Sequence, residues 1–138
     1  GSLNRNDDFL YTLFVPDRAS SAFPSFDQPD LKARVTLTLM LPAAWEAVAN
    51  GGRMERRVEG DRATIRFAET APISTYLVAF AAGRWSVDSA MRGGRMMHLY
   101  HRETDAAKVA RNRDEIFDLH QRALAWLEEW VSPGSEPA

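Results

Sequence analysis

The feature that most constrains this chain is a change of period. Up to Arg102, apolar residues recur at every second position in short runs; from Asp105 to Trp130 they recur at helical spacing. A period of two sends successive side chains to opposite faces of a strand, while a period near 3.6 gathers them into one stripe on a helix. The clearest alternation is Arg34 to Leu41. Val35, Leu37, Leu39 and Leu41 alternate there with Arg34, Thr36, Thr38 and Met40, so one face meets a core and the other solvent. Trp45 to Ala49 reads as a short strand, and Asn50-Gly51-Gly52 as a turn of residues that tolerate positive φ. Arg53 to Val58 and Arg62 to Phe67 flank Glu59-Gly60-Asp61 as a hairpin. Ile73 to Ala82 reads as one long apolar strand, with Gly83 a bulge or bend. Arg84 to Ser89 and Arg95 to Arg102 are split by the turn Arg92-Gly93-Gly94. Phe9 to Val15, ended by Pro16, is apolar on both faces and needs cover from two directions.

On the helical side, Val109, Ile116, Leu119, Ala123, Trp126 or Leu127, and Trp130 form one stripe expected to be buried, with Thr104 or Asp105 as the cap. Trp126 and Trp130 read as core packing, with a docking surface as the alternative. These patterns predict a mainly β fold, an antiparallel β-sandwich or saddle with one C-terminal α-helix. The expected divisions are a tag or disordered start over 1–7, a β-domain over 8–103, a helix over 104–131 and a disordered tail over 132–138.

Composition narrows the function classes. Seventeen Lys and Arg are scattered among 19 Asp and Glu, with no basic stripe to track phosphates, so nucleic acid is not an expected partner. The chain has no cysteine, which excludes disulfides, thiolate metal sites and cysteine nucleophiles. No apolar run approaches the roughly 20 residues that span a bilayer, so no membrane segment is expected. The start is not a signal peptide; Gly1-Ser2 reads as a cloning scar, a native leader could have been removed, and a cytoplasmic placement is favoured.

No motif here carries chemistry by itself. His98 and His101 are three apart in an expected strand and point to opposite faces, and His120 stands alone on the helix. There is no H-E-x-x-H, G-x-S-x-G, Walker A or G-x-G-x-x-G. Asp7-Asp8 and Glu128-Glu129 read as solvated charges, because nothing near them predicts desolvation. The segment Phe23 to Ala33, FPSFDQPDLKA, is too long for a tight turn and holds no plausible nucleophile. Its Asp27 can accept nearby backbone N–H groups and hold a rigid loop.

FPSFDQPDLKARVTLTLMLP resembles the F-P-C-x-D-E-P-x-x-K-A stretch in the N-terminal domain of zinc aminopeptidases of the alanyl aminopeptidase (aminopeptidase N) and leukotriene hydrolase family. Phe23, Pro24, Asp27, Pro29, Lys32 and Ala33 match; Ser25 stands for the usual Cys and Gln28 for the usual Glu. Ala47-Val48-Ala49-Asn50-Gly51 is similar to the family's A-x-S-N-G, and Ile73 to Phe80 to its M-S-T-Y-L-x-A-F. The helix around Ala125 to Trp130 resembles the one leading into the catalytic domain, so the resemblance spans Asp8 to Trp130.

The resemblance implies a non-catalytic domain that walls the active-site cleft of a peptide-cleaving enzyme and packs on its catalytic domain. Zinc, H-E-x-x-H and G-x-M-E-N belong to that catalytic domain. This chain alone is therefore expected to hold no metal and no catalytic residue, and to be inactive. The family's T-Q-x-E falls on Thr12, Leu13, Phe14 and Val15; Thr12 matches, while Leu13 and Val15 replace the Gln and Glu that shape the first substrate pocket and hold the substrate's amine. The resemblance also implies missing strands before Phe9, leaving an exposed edge able to pair between copies. A stand-alone β-sandwich binding module derived from this domain is the alternative reading.

Overall fold

A computed structural model describes residues 3–131; the expected tag residues Gly1-Ser2 and the expected disordered tail 132–138 lie outside the described residues. In chain order the strands are β1 (Leu3–Arg5), β2 (Phe9–Thr12), β3 (Lys32–Ala33), β4 (Thr38–Pro42), β5 (Glu46–Ala49), β6 (Arg53–Glu59), β7 (Arg62–Phe67), β8 (Ile73–Ser74), β9 (Phe80–Gly83), β10 (Ser86–Arg92) and β11 (Arg95–His101), followed by α1 (Ala106–Val131). Short 3-10 turns occupy Ala19–Ser21 and Thr75–Leu77. The fold is mostly β, with several antiparallel sheets, one C-terminal helix and no closed barrel. It divides into two compact units, one ending at Trp85 and one beginning at Ser86.

In the first unit, one sheet has the order β1-β2-β9-β5, a second β4-β7-β6, and β3 pairs with β8. Leu41, Trp45, Ala47, Ile65, Phe67 and Ala82 form a buried cluster drawn from both larger sheets, the packing of a sandwich. The expected alternation holds along Val35 to Leu41, with Leu41 buried and Met40 exposed. Ladder pairing begins only at Thr38, opposite Arg66, and Leu37 continues it by accepting the Phe67 N–H. The β6–β7 hairpin closes at Gly60, whose φ of 59° lies in the left-handed region that glycine tolerates.

Five expectations for this unit are corrected. Phe9 to Val15 is not one doubly buried strand. It ends at Thr12, with Thr12 and Phe14 buried and Tyr11, Leu13 and Val15 outward. Nor does β2 form an open edge, because it pairs with β1 on one side and β9 on the other. Residues 3–5, expected within an unstructured start, supply that first neighbour. Gly51 does not serve by positive φ: a Cβ there would sit 2.0 Å from the Ala68 carbonyl oxygen, so only glycine permits the approach. Finally, Ile73 to Ala82 is not a continuous strand. It breaks at the Thr75–Leu77 turn, where Asp27 accepts the Thr75 hydroxyl and the Asn50 side chain takes the Leu77 carbonyl.

In the second unit, β10 and β11 pair from Ser86 opposite His101 to Arg92 opposite Arg95. Gly93 and Gly94, with φ of 55° and 75°, close that hairpin. The first strand begins at Ser86 rather than Arg84 and runs through Arg92. Asp105 caps α1, its Oδ1 accepting the Lys108 N–H at 3.1 Å. The buried residue of α1 is Phe117, and the Arg92 guanidinium lies 5.9 Å from its ring centre. Arg92 donates to Asp118 at 2.6 Å, and this partner raises the Arg92 pKa further. The expected buried stripe is corrected: Leu119, Trp126, Leu127 and Trp130 are exposed, while Val109, Ile116 and Gln121 are half-buried. No described helix is long and apolar enough to cross a membrane.

Candidate functional site

Three segments distant in sequence converge on residues 74–80. Asp27, in the FPSFDQP loop, accepts the Thr75 hydroxyl at Oδ1 (2.6 Å) and the Ser20 backbone N–H at Oδ2 (3.0 Å). Those donors favour the charged form, Thr75 most strongly, and hold the Asp27 carboxyl below its ordinary pKa. The Pro29 carbonyl accepts the Ser74 hydroxyl, and Lys32 lies opposite Ser74 in the short β3–β8 ladder. Asn50 reaches the same stretch from the other side. Its Nδ2 donates to the Leu77 carbonyl at 2.9 Å and its Oδ1 accepts the Ala79 N–H at 2.6 Å. The Asn50 amide thereby stands in for a strand partner just beyond the Ala49–Phe80 pair.

Thr12 completes the ring of contacts. Its hydroxyl accepts the Phe80 N–H at 3.0 Å and donates to the Phe80 carbonyl at 3.3 Å. One residue on, Leu13 is 62% exposed and Val15 51%, flanking the buried Phe14. The Arg18 N–H to Val15 carbonyl bond (3.1 Å) closes a turn through Pro16 and Asp17, with Asp17 at φ 69°. Proline followed by a residue in the left-handed region is the pattern of a type II turn. Phe23 packs edge-on to Phe14 at 5.8 Å, and Pro24 is exposed. The expected wall residues Thr12, Leu13 and Val15 are thus adjacent, but only Leu13 and Val15 present side chains outward. Sequence reasoning missed Thr75 and Asn50, because a hydroxyl or an amide that serves a distant backbone leaves no local pattern.

The structure gives each histidine its own partner. His98 Nδ1 lies 2.7 Å from Ser89 Oγ, His101 Nε2 lies 2.9 Å from Asp88 Oδ2, and His120 Nδ1 lies 2.8 Å from the Ile116 carbonyl. Beside the helix start, Lys108 and the Asp105 and Thr104 N–H groups lower the Glu103 pKa, an ordinary surface pairing. Among the described residues no group of three or more His, Cys, Asp or Glu could hold a metal ion. The described residues do not fit zinc.

This β framework, marked by three converging motifs, has matches among known proteins. Residues 3–77 match the family model described as the Peptidase M1 N-terminal domain. The chain belongs to the M1 peptidase family. It is 33% identical over 128 residues to "Probable M1 family aminopeptidase 1" of Encephalitozoon cuniculi, covering 91% of this chain and 14% of that protein. It is also 33% identical over 126 residues to "Aminopeptidase N" of Streptomyces lividans, covering 88% and 14%. This M1 chain therefore spans only about a seventh of the length of those relatives. Its fold is shared by an M1 zinc metallopeptidase from Deinococcus radiodurans, with a TM-score of 0.68 at 19% identity over 96% of this chain and 31% of that one. A two-domain M1 zinc metallopeptidase solved with L-arginine gives a TM-score of 0.72 at 20% identity over the same shares.

Proposed function

We propose that this chain is the non-catalytic N-terminal domain of a zinc aminopeptidase that releases N-terminal residues from peptides. In that role the end of β2 walls the substrate cleft, and exposed apolar surface packs on the catalytic domain, which holds the zinc. The carrying observation is the pairing of a rigid base with an exposed tip: Thr12 and Phe14 are buried, while Leu13 and Val15 project to solvent. Side chains held outward by a fixed backbone suit a pocket wall, where small displacements are costly. The exposed apolar face of α1, where Trp126 and Trp130 lie with ring centroids 5.8 Å apart and planes tilted by 42°, supports the packing role.

Val15 stands where the family carries a Glu that helps hold the substrate's amine. A carboxylate near an ammonium in a desolvated pocket is strongly attractive, and valine supplies none. The complete enzyme accordingly anchors the amine with fewer carboxylates or uses an altered first pocket. Val15→Glu in the complete enzyme is expected to raise kcat/KM on aminoacyl substrates, mainly through KM. No gain, or a loss, would count against this account of the wall.

A further inference from the structure

The wall itself offers few contacts that could hold it in place; its support lies underneath. Phe14, between Leu13 and Val15, is buried against Ala19 and Val78. Ala19 opens the first 3-10 turn, and Val78 directly follows the second. Asp27 bridges the same two turns, accepting Ser20 of the first and Thr75 of the second, one on each carboxylate oxygen. Apolar seat and polar clamp therefore join the same pair of elements.

We propose that Asp27 is the positioning residue of the Leu13–Val15 wall, clamping together the two turns that seat Phe14. That the wall faces a peptide rests on the function proposed above; the clamp does not. A carboxylate accepts with both oxygens, and bonds to a charged acceptor are stronger than neutral ones. An Asn side chain has one acceptor oxygen and an NH2 group in place of the second, so it cannot receive Thr75 and Ser20 on two separate oxygens, and its NH2 would face one of the two donors. Protonation has a related effect. Because the folded-state pKa of Asp27 is lowered, the unfolded chain binds more protons in the acid range, and stability rises with pH there. The contribution is complete above the unfolded carboxylate pKa of about 3.9 and is lost as pH falls through the lower folded value.

The test is residue-resolved amide exchange and chemical shift on this chain, comparing wild type with Asp27→Asn, Thr75→Val and Thr75→Ser. Asp27→Asn is expected to speed exchange at Ser20, Ala22, Phe23 and Val78 roughly tenfold relative to Ile65 and Phe67, and to shift the Leu13 and Val15 amides. Thr75→Val should reproduce part of this, and Thr75→Ser, which keeps the hydroxyl, should restore wild-type values. In the wild type, acidification should loosen the same amides first, with a midpoint below the usual carboxylate range. Equal acceleration throughout the first unit, or unmoved Leu13 and Val15 amides, would overturn the clamp. If Asp27→Asn does not fold, the wild-type acid titration decides by the same criterion. None of these readouts uses peptidase activity, so a failed clamp and a failed aminopeptidase reading are distinguishable.

Discussion

Ile65 is wholly buried between two sheets of the first unit, whereas α1, 26 residues long, buries Phe117 and leaves Trp126 and Trp130 more than half exposed. Both regions are rich in apolar residues; they differ in how many sides receive cover. The first unit brings β4, β5, β7 and β9 around one cluster and adds a second cluster at Phe14, Ala19 and Val78. The second unit offers α1 a single two-stranded hairpin, too narrow for its apolar surface. Its hold is supplemented by charge: Arg92 reaches Asp114 and Asp118, and Arg95 reaches Glu128. Exposed ion pairs contribute little each. The comparison teaches that apolar content alone does not decide burial: the first unit covers its apolar residues from several sides, while much of the apolar surface of α1 stays exposed, as the proposed packing on a catalytic domain would require.

The largest effect should come from the sandwich core. Ile65→Ala is expected to cost about 2–5 kcal/mol and to lower the midpoint of denaturant unfolding of the sheets. Phe117→Ala, by contrast, should release α1 and its hairpin while leaving amide protection in β4 and β7 intact. If Phe117→Ala instead unfolds both units together, the division between them is wrong. At the small end, Trp126→Gln and Trp130→Gln should each change the stability of this chain by less than about 0.5 kcal/mol. A cost of several kcal/mol would mean that those rings pack inside this chain after all.

The sequence revealed most where structure follows local period. The alternation of Val35 to Leu41, the hairpin around Gly60, the Gly93-Gly94 turn and the span of α1 were all legible because their causes lie within a few residues. Legibility failed where a distant group intervened. Ile73 to Ala82 has the composition of a strand, yet Thr75 bonds Asp27 and Asn50 takes up Leu77 and Ala79. No window along the chain contains those partners. The helix was misjudged for another reason. Its apolar residues cover an arc wider than one neighbour can bury, and the hairpin meets the part around Val109, Ile116 and Phe117. The Leu119–Trp130 stripe lies about a quarter turn away. In the candidate site, the family-like residues were legible as a motif, but their physical role as a hydrogen-bonded framework required the fold.

The most direct measurement on the central claim is zinc content together with turnover of the purified chain on a panel of fluorogenic aminoacyl substrates. A framework domain whose catalytic residues lie elsewhere predicts no bound zinc and no hydrolysis above background. Stoichiometric zinc or sustained turnover would contradict it, and would place a site among His98, His101 and His120 that their separate partners argue against.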